Sequence, residues 1–384
     1  MLDYEAVVVG LGGMGSAAVA ALSVRGTRVL GLEASSRGHE LGASAGRSRM
    51  IRKAYFEHSD YVPLLHRAYA LWRRLERASG TRLLDLTGLL VAGAASSPVL
   101  RGALASAELH GIELERLDAA ALARRYPALR LRSAEIGLFE PGAGVVFPEK
   151  AIAAALGCAE AYGAELRFET PVEGYRCEPE AIVVRLAGGF EVRTARLALC
   201  AGPWTGRVCA EADLPIRVQR NVQVWFAPAS AAYQRDRFPA FFVDRPELPA
   251  PLYGFPDYGD GVKAALHGFG ESTAADRLDR AVREADVALI RAALDGWMPG
   301  AAGAFASGKA CMYALTPDEH FILDVHPRDA RIVLACGFSG HGFKFAPVVG
   351  EIVAELVRAG RTRHPIGFLR LGRFRPRERQ PGVR

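Results

Sequence analysis

Of 384 residues, 50% are hydrophobic and 23% charged, with 41 Gly and 22 Pro. This length supports two or three domains with a sizeable core, and the composition excludes a disordered, collagen-like or disulfide-framework chain. The formal net charge of +6 is uneven: residues 361–384 hold eight Arg and one Glu, and the remainder carries 40 basic against 41 acidic residues. A near-neutral body gives no reason to expect a nucleic-acid surface.

The six cysteines contain no CxxC pair and fit a reducing compartment. Ala6–Val24 is uncharged over 19 residues, nearly bilayer length. Asp3 and Glu5 precede it, where a signal peptide wants basic residues. Its glycine spacing has a better explanation, so a cytoplasmic chain without a membrane segment is expected.

In chain order, Glu5–Val9 is a β-branched apolar run that reads as a buried strand. Glycine-rich residues 10–15 follow, then an Ala-rich helix over Ser16–Val24 and a second strand over Arg28–Leu32 ending at Glu33. This is a βαβ unit. Apolar positions from Tyr61 to Leu75 have helical spacing, with Gly80 as a stop. Helices are expected near 97–110 and 118–125 and over Glu149–Tyr162, and a strand over Arg196–Cys200. Residues 214–270 read mostly as strands. Ala274–Leu294 reads as one amphipathic helix, Ile332–Cys336 as a strand, and Pro347–Arg358 as a helix closed by Gly360. Beyond Phe374 an Arg- and Pro-rich tail is expected to be disordered.

Gly10, Gly12 and Gly15 form GxGxxG between a strand and a helix. The glycines give the tight turn, close approach of backbone to pyrophosphate, and helix–strand packing. The helix N-terminus offers unpaired N–H groups to phosphates. Glu33, 18 residues past Gly15, suits a ribose hydroxyl. Gly10, Gly12, Gly13, Met14, Gly15, Glu33 and Ala34 are therefore candidate nucleotide-binding residues. The motif leaves FAD and NAD both open. Leu199–Trp204 ends a strand in small residues able to pass close to a cofactor, although an ordinary strand exit reads the same way.

Residues 309–324, Lys-Ala-Cys-Met-Tyr-Ala-Leu-Thr-Pro-Asp-Glu-His-Phe-Ile-Leu-Asp, and 337–345, Gly-Phe-Ser-Gly-His-Gly-Phe-Lys-Phe, are far more specific. With the N-terminal motif they resemble the monomeric sarcosine oxidase and N-methyltryptophan oxidase family, FAD-dependent amine oxidases of the D-amino-acid oxidase-like superfamily. The likeness runs from the first strand to about Phe374. It implies an α/β two-domain flavoprotein. A discontinuous Rossmann-like FAD-binding domain would comprise 1–85, 145–213 and 325–384. An antiparallel-sheet substrate domain would comprise 86–144 and 214–324.

The resemblance implies FAD held covalently through Cys311, which must react as a thiolate in a positive neighbourhood; Lys309 is two residues away. It places Ser44, Arg49, Trp204, Gly340, Gly342 and Lys344 at the cofactor, and Arg52 and Lys344 on a substrate carboxylate. A guanidinium fork suits that task. The chain has five lysines, Lys53, Lys150, Lys263, Lys309 and Lys344. Lys263 matches the residue that assists oxygen reduction by stabilising developing charge. Tyr253, Phe255, His267 and Tyr313 match pocket positions, and Phe242 adds an aromatic wall. The expected catalytic set is Lys263, Arg49, Tyr313 and His267. His341 reads as loop support, and no metal site is expected.

Ser44-Ala45 stands where the resembling oxidases carry histidines, and Arg47 where an acid is common. These departures make sarcosine itself doubtful. The expected activity is oxidation of a secondary amine, an N-methyl or cyclic α-amino acid, by a monomer, with oxygen reduced to hydrogen peroxide. A dehydrogenase passing electrons to a carrier, a biosynthetic cyclic-amine oxidase and a non-catalytic nucleotide-binding scaffold are the alternatives.

Overall fold

The computed structural model describes residues 1–132 and 134–374; the expected disordered tail, 375–384, lies outside them. Strand Tyr4–Val9 lies between parallel strands Val29–Leu32 and Glu191–Leu199, and Asp329–Cys336 extends the parallel set. Ala6–Val9 are at most 5% exposed, as continuous apolar strands are when both sheet faces are covered. Helix Gly13–Ser23 packs on helix Ala346–Ala359. A Cβ at Gly350 would lie 2.4 Å from Ala17 O, so glycine permits that close crossing. Helices Val62–Ser79 and Ala346–Ala359 both end at glycines in the left-handed conformation, Gly80 and Gly360.

A second sheet of nine strands is mostly antiparallel, with one parallel pair between Ala240–Asp244 and Leu89–Ala94. Its longest ladder joins Arg217–Ala227 to Ala304–Leu315 and sets Asn221 opposite Cys311 and Gln223 opposite Lys309. A three-stranded sheet, Arg49–Ile51, Gly144–Val146 and Leu84–Asp85, carries the chain between the two larger ones. Among the described residues no helix is long and apolar enough to cross a membrane.

Two expectations change. The boundary at 325 falls inside strand Ile322–His326, which forms a hairpin with Asp329–Cys336 in the nucleotide-side sheet. The helix expected over Ala274–Leu294 is helical over Glu284–Asp295, preceded by a single 3-10 turn at Ala275–Arg277. Buried Arg220 explains the break: its guanidinium donates to Asp279 O at 2.9 Å, to Ala281 O and to the Asp286 carboxylate. Those carbonyls are then not spent on helical bonds.

Candidate active site

A cavity of about 620 Å³ opens where the first βα turn meets the loop after Cys336. Gly10, Gly12, Gly13 and Met14 form its floor, Glu33 and Ala34 one end, and Trp204 another wall. Gly10 has φ +87°, and a Cβ there would lie 2.6 Å from Cys200 O. A Cβ at Gly13 would lie 2.7 Å from the Phe343 ring. Gly15 does not border the cavity; a Cβ there would come within 1.7 Å of Gly10 O, so its part is helix–strand packing. Glu33 accepts from Leu11 N–H at 2.8 Å and Ser35 N–H at 3.2 Å. Burial works against its charge, but His39 and those N–H groups hold its carboxyl below the usual range. Ser44 Oγ accepts from Gly13 N–H at 3.1 Å, and Arg49, Gly340 and Gly342 complete the wall toward a second space.

That second cavity is small, about 50 Å³, and is bounded by Arg49, Arg52, Glu57, Gln223, Phe242, Tyr253, His267, Tyr313 and Lys344. Arg52 is 3% exposed and sandwiched between the Tyr55 and Phe56 rings, 4.3 and 4.2 Å from their centroids. Its Nη2 donates to both Glu57 oxygens at 2.6 and 2.7 Å. Burial alone would raise the Glu57 carboxyl; Arg52, with His341 and Lys344, brings it down to about 2. Lys344 Nζ donates to His341 O at 2.7 Å. Burial, then the charge of Arg52, lowers its ammonium to about 7. His267 is pushed down to about 4, chiefly by burial, and lies 3.5 Å from the Tyr313 hydroxyl.

The structure thus brings Arg49, Arg52, Lys344, Tyr253, His267, Tyr313 and Phe242 to one cavity. Phe255 does not border it; at 1% exposed it packs in the core, its ring 5.0 Å from Lys263 Nζ. Lys263 borders neither cavity. Its ammonium donates to Gly46 O at 2.6 Å, Ser48 O at 2.8 Å and Ser48 Oγ at 3.3 Å. Burial and the charge of Arg49 lower it well below an ordinary lysine. Cys311 also borders neither cavity; it is 2% exposed, its Sγ accepting from Gln223 Nε2 at 3.0 Å, and its neighbour Met312 lines the larger cavity. Lys309, expected to make the neighbourhood of Cys311 positive, is paired with Glu40. His341 does support its loop, through Tyr55 and Glu319 O.

Glu57 and Gln223 were not anticipated. Nothing in local spacing marks Glu57, which reaches Arg52 through an irregular loop. Gln223 did leave a trace: Gln219, Asn221 and Gln223 recur at every second position of one strand, yet all three are at most 6% exposed. Two clusters of metal-ligand type also form, Cys209 with Glu211 and His326, and Glu351 with Glu355 and His364. Sequence separation had concealed them, and both lie outside the cavities just described.

A family model described as FAD dependent oxidoreductase matches residues 5–356. The monomeric sarcosine oxidase of Streptomyces avermitilis is 40% identical over 372 residues, covering 95% of this chain and 96% of that one. The N-methyl-L-tryptophan oxidase of Citrobacter koseri is 33% identical over 375 residues, covering 97% and 100%. Among solved structures, the open form of NikD, an amino acid oxidase essential for nikkomycin biosynthesis, matches with a TM-score of 0.85 at 23% identity, covering 96% of this chain and 98% of that one. The chain belongs to the FAD-dependent oxidoreductase family and, within it, is an amine oxidase of the sarcosine oxidase type acting on CH–NH bonds.

Proposed function

We propose that this enzyme oxidises a secondary α-amino acid, N-methylated or cyclic, to its imine, with oxygen as the electron acceptor. The observation that carries the reading is the placement of two buried cations, Arg52 and Lys344, in one small cavity against the nucleotide cavity. Burying such charges is costly unless anions pair with them; Glu57 is one such anion, and a substrate carboxylate is the second. Glu57 already shows that a carboxylate seats on Arg52; it holds the guanidinium until substrate competes for it. The relatives named for sarcosine and N-methyl-L-tryptophan support the substrate class.

The residues fit FAD. The glycine floor leaves space that side chains would fill, Glu33 stands where a ribose belongs, and Met312, next to Cys311 in the chain, lines the cavity. We assign the covalent attachment to Cys311. When bound, FAD supplies the two-electron acceptor for the substrate C–H bond. The protein's share is positioning and electrostatics. Arg52 and Lys344 fix the carboxylate, which can supply several kcal/mol of the barrier through orientation. Tyr253, His267, Tyr313 and Phe242 enclose the rest of the substrate and exclude water. The neutral amine is the reactive form, and the cations around it lower its pKa in the needed direction.

Lys263 serves oxygen reduction by setting positive charge behind the Gly46–Ser48 turn. A second reading, a dehydrogenase feeding a carrier, draws on one fact: the three donors of Lys263 are directed at Gly46 and Ser48. Measuring peroxide formed per substrate oxidised, with N-methylglycine, N-methyl-L-tryptophan and L-proline in air, separates them. One peroxide per turnover supports the oxidase. Substrate-dependent flavin reduction with negligible oxygen uptake contradicts it.

A further inference from the structure

We propose that Gln223 reads the substrate amine, its Oε1 accepting the N–H of a bound secondary amino acid. The proposal rests on the carboxylate reading above and adds a specificity residue to it. Gln223 is 1% exposed and borders the small cavity beside Arg49, Tyr253 and Tyr313. Its Nε2 is anchored on Cys311 Sγ at 3.0 Å, which fixes the amide. Among the described residues its Oε1 has no partner. A buried acceptor left unpaired is unusual and costly. Asn221 Oδ1 on the same strand face is also unpaired, but Asn221 borders neither cavity.

The free oxygen is packed close to the Gly46 backbone, where only glycine leaves room for it. Gly46 has φ +126°, and a Cβ there would lie 2.3 Å from Gln223 Oε1. Two other acceptors of the cavity are engaged: the Glu57 carboxylate takes Arg52, and His267 Nδ1 lies within 3.5 Å of the Tyr313 hydroxyl. A cavity whose cations seize a carboxylate needs an acceptor for the amine end, and Gln223 supplies one. Its neutrality matters. A carboxylate at this position would hold the amine protonated, whereas an amide oxygen binds the N–H without stabilising the added proton. The amide thus favours amines that keep an N–H when neutral, which secondary amines do and tertiary amines do not.

The test compares pyrrole-2-carboxylate with furan-2-carboxylate, rings of the same shape that differ by one N–H donor. Each is titrated into the holoenzyme and followed by the visible flavin spectrum, so that no turnover is involved. The wild type is expected to bind the pyrrole at least about tenfold tighter, the worth of one good hydrogen bond to a buried acceptor. Gln223→Leu should bring the two within about twofold by weakening the pyrrole alone. Gln223→Glu keeps an acceptor and should retain the preference, while moving the alkaline rise of the rate–pH profile upward because it favours the protonated amine. An unchanged preference in Gln223→Leu, or none in the wild type, overturns the assignment. Failure of both carboxylates to bind the wild type overturns the carboxylate cradle, and the assignment with it. If Gln223→Leu does not fold, loss of the preference in Gln223→Glu overturns it instead.

Discussion

Arg52 is already paired before any substrate is considered, and that shapes what its neighbours do. Glu57 stays ionised because Arg52, His341 and Lys344 outweigh its burial. Replacing Glu57 by Gln should therefore act in two directions. Carboxylate ligands should bind more tightly, by about tenfold, for loss of an internal competitor, the equivalent of about 1.4 kcal/mol. The fold should lose stability, because a buried guanidinium is left uncompensated, at a cost of about 3–5 kcal/mol. Ligand titration and thermal melting of the same variant measure both. Lys344 gives a pH prediction. Its free-enzyme value of about 7 lies below 10.5, and a bound carboxylate would raise it. Binding is then favoured by the protonated form, and affinity for an unreactive carboxylate should fall as pH rises through about 7. Lys344→Met should remove that pH dependence and weaken binding throughout. A wild-type affinity flat from pH 6 to 9 would show that the lysine does not contact the carboxylate.

At the level of elements, the site depends on backbone that side chains cannot replace. Gly340 has φ +77°, and a Cβ there would lie 2.1 Å from the Tyr313 ring. Gly340→Ala should displace Tyr313 and lower kcat/KM by at least about tenfold, a loss typical of misplaced pocket groups, with flavin content retained; an unaltered kcat/KM at full flavin loading contradicts this placement. Strands and helices with regular periodicity were legible in the sequence. Strand Tyr4–Val9 followed from its apolar run, and helix Val62–Ser79 from its spacing and its glycine stop. Helix Ala346–Ala359 followed in the same way. The stretch before Glu284 was not legible, because its conformation is set by Arg220, more than fifty residues earlier in the chain. The same limit hid Glu57 and Gln223. A loop's path to Arg52 and the anchoring of an amide on Cys311 are tertiary facts, whereas the motifs around Cys311 and Lys344 carry their information locally.

Across the whole molecule, the site is assembled from parts remote in sequence. Arg49 and Arg52 come from the small sheet and the loop after it. Gln223, Tyr253, His267 and Tyr313 come from the nine-stranded side, and Gly340 and Lys344 from the loop before the C-terminal helix. The covalent link tests that assembly as one object. Acid precipitation of the wild type should leave the yellow colour in the pellet. Cys311→Ser should release it to the supernatant while the protein still folds, since Cys311 is one of six cysteines and forms no disulfide. Colour released from the wild type would contradict the attachment. The most direct test of the account is anaerobic mixing of the enzyme with matched amines that differ only in the carboxylate: N-methyl-L-tryptophan against N-methyltryptamine, L-proline against pyrrolidine, N-methylglycine against dimethylamine. We predict that at least one carboxylated member bleaches the visible flavin absorbance at a saturable rate while its partner is slower by at least about a hundredfold, as loss of a charge-assisted clamp on two cations requires. Equal bleaching by the carboxylate-free amines would contradict it.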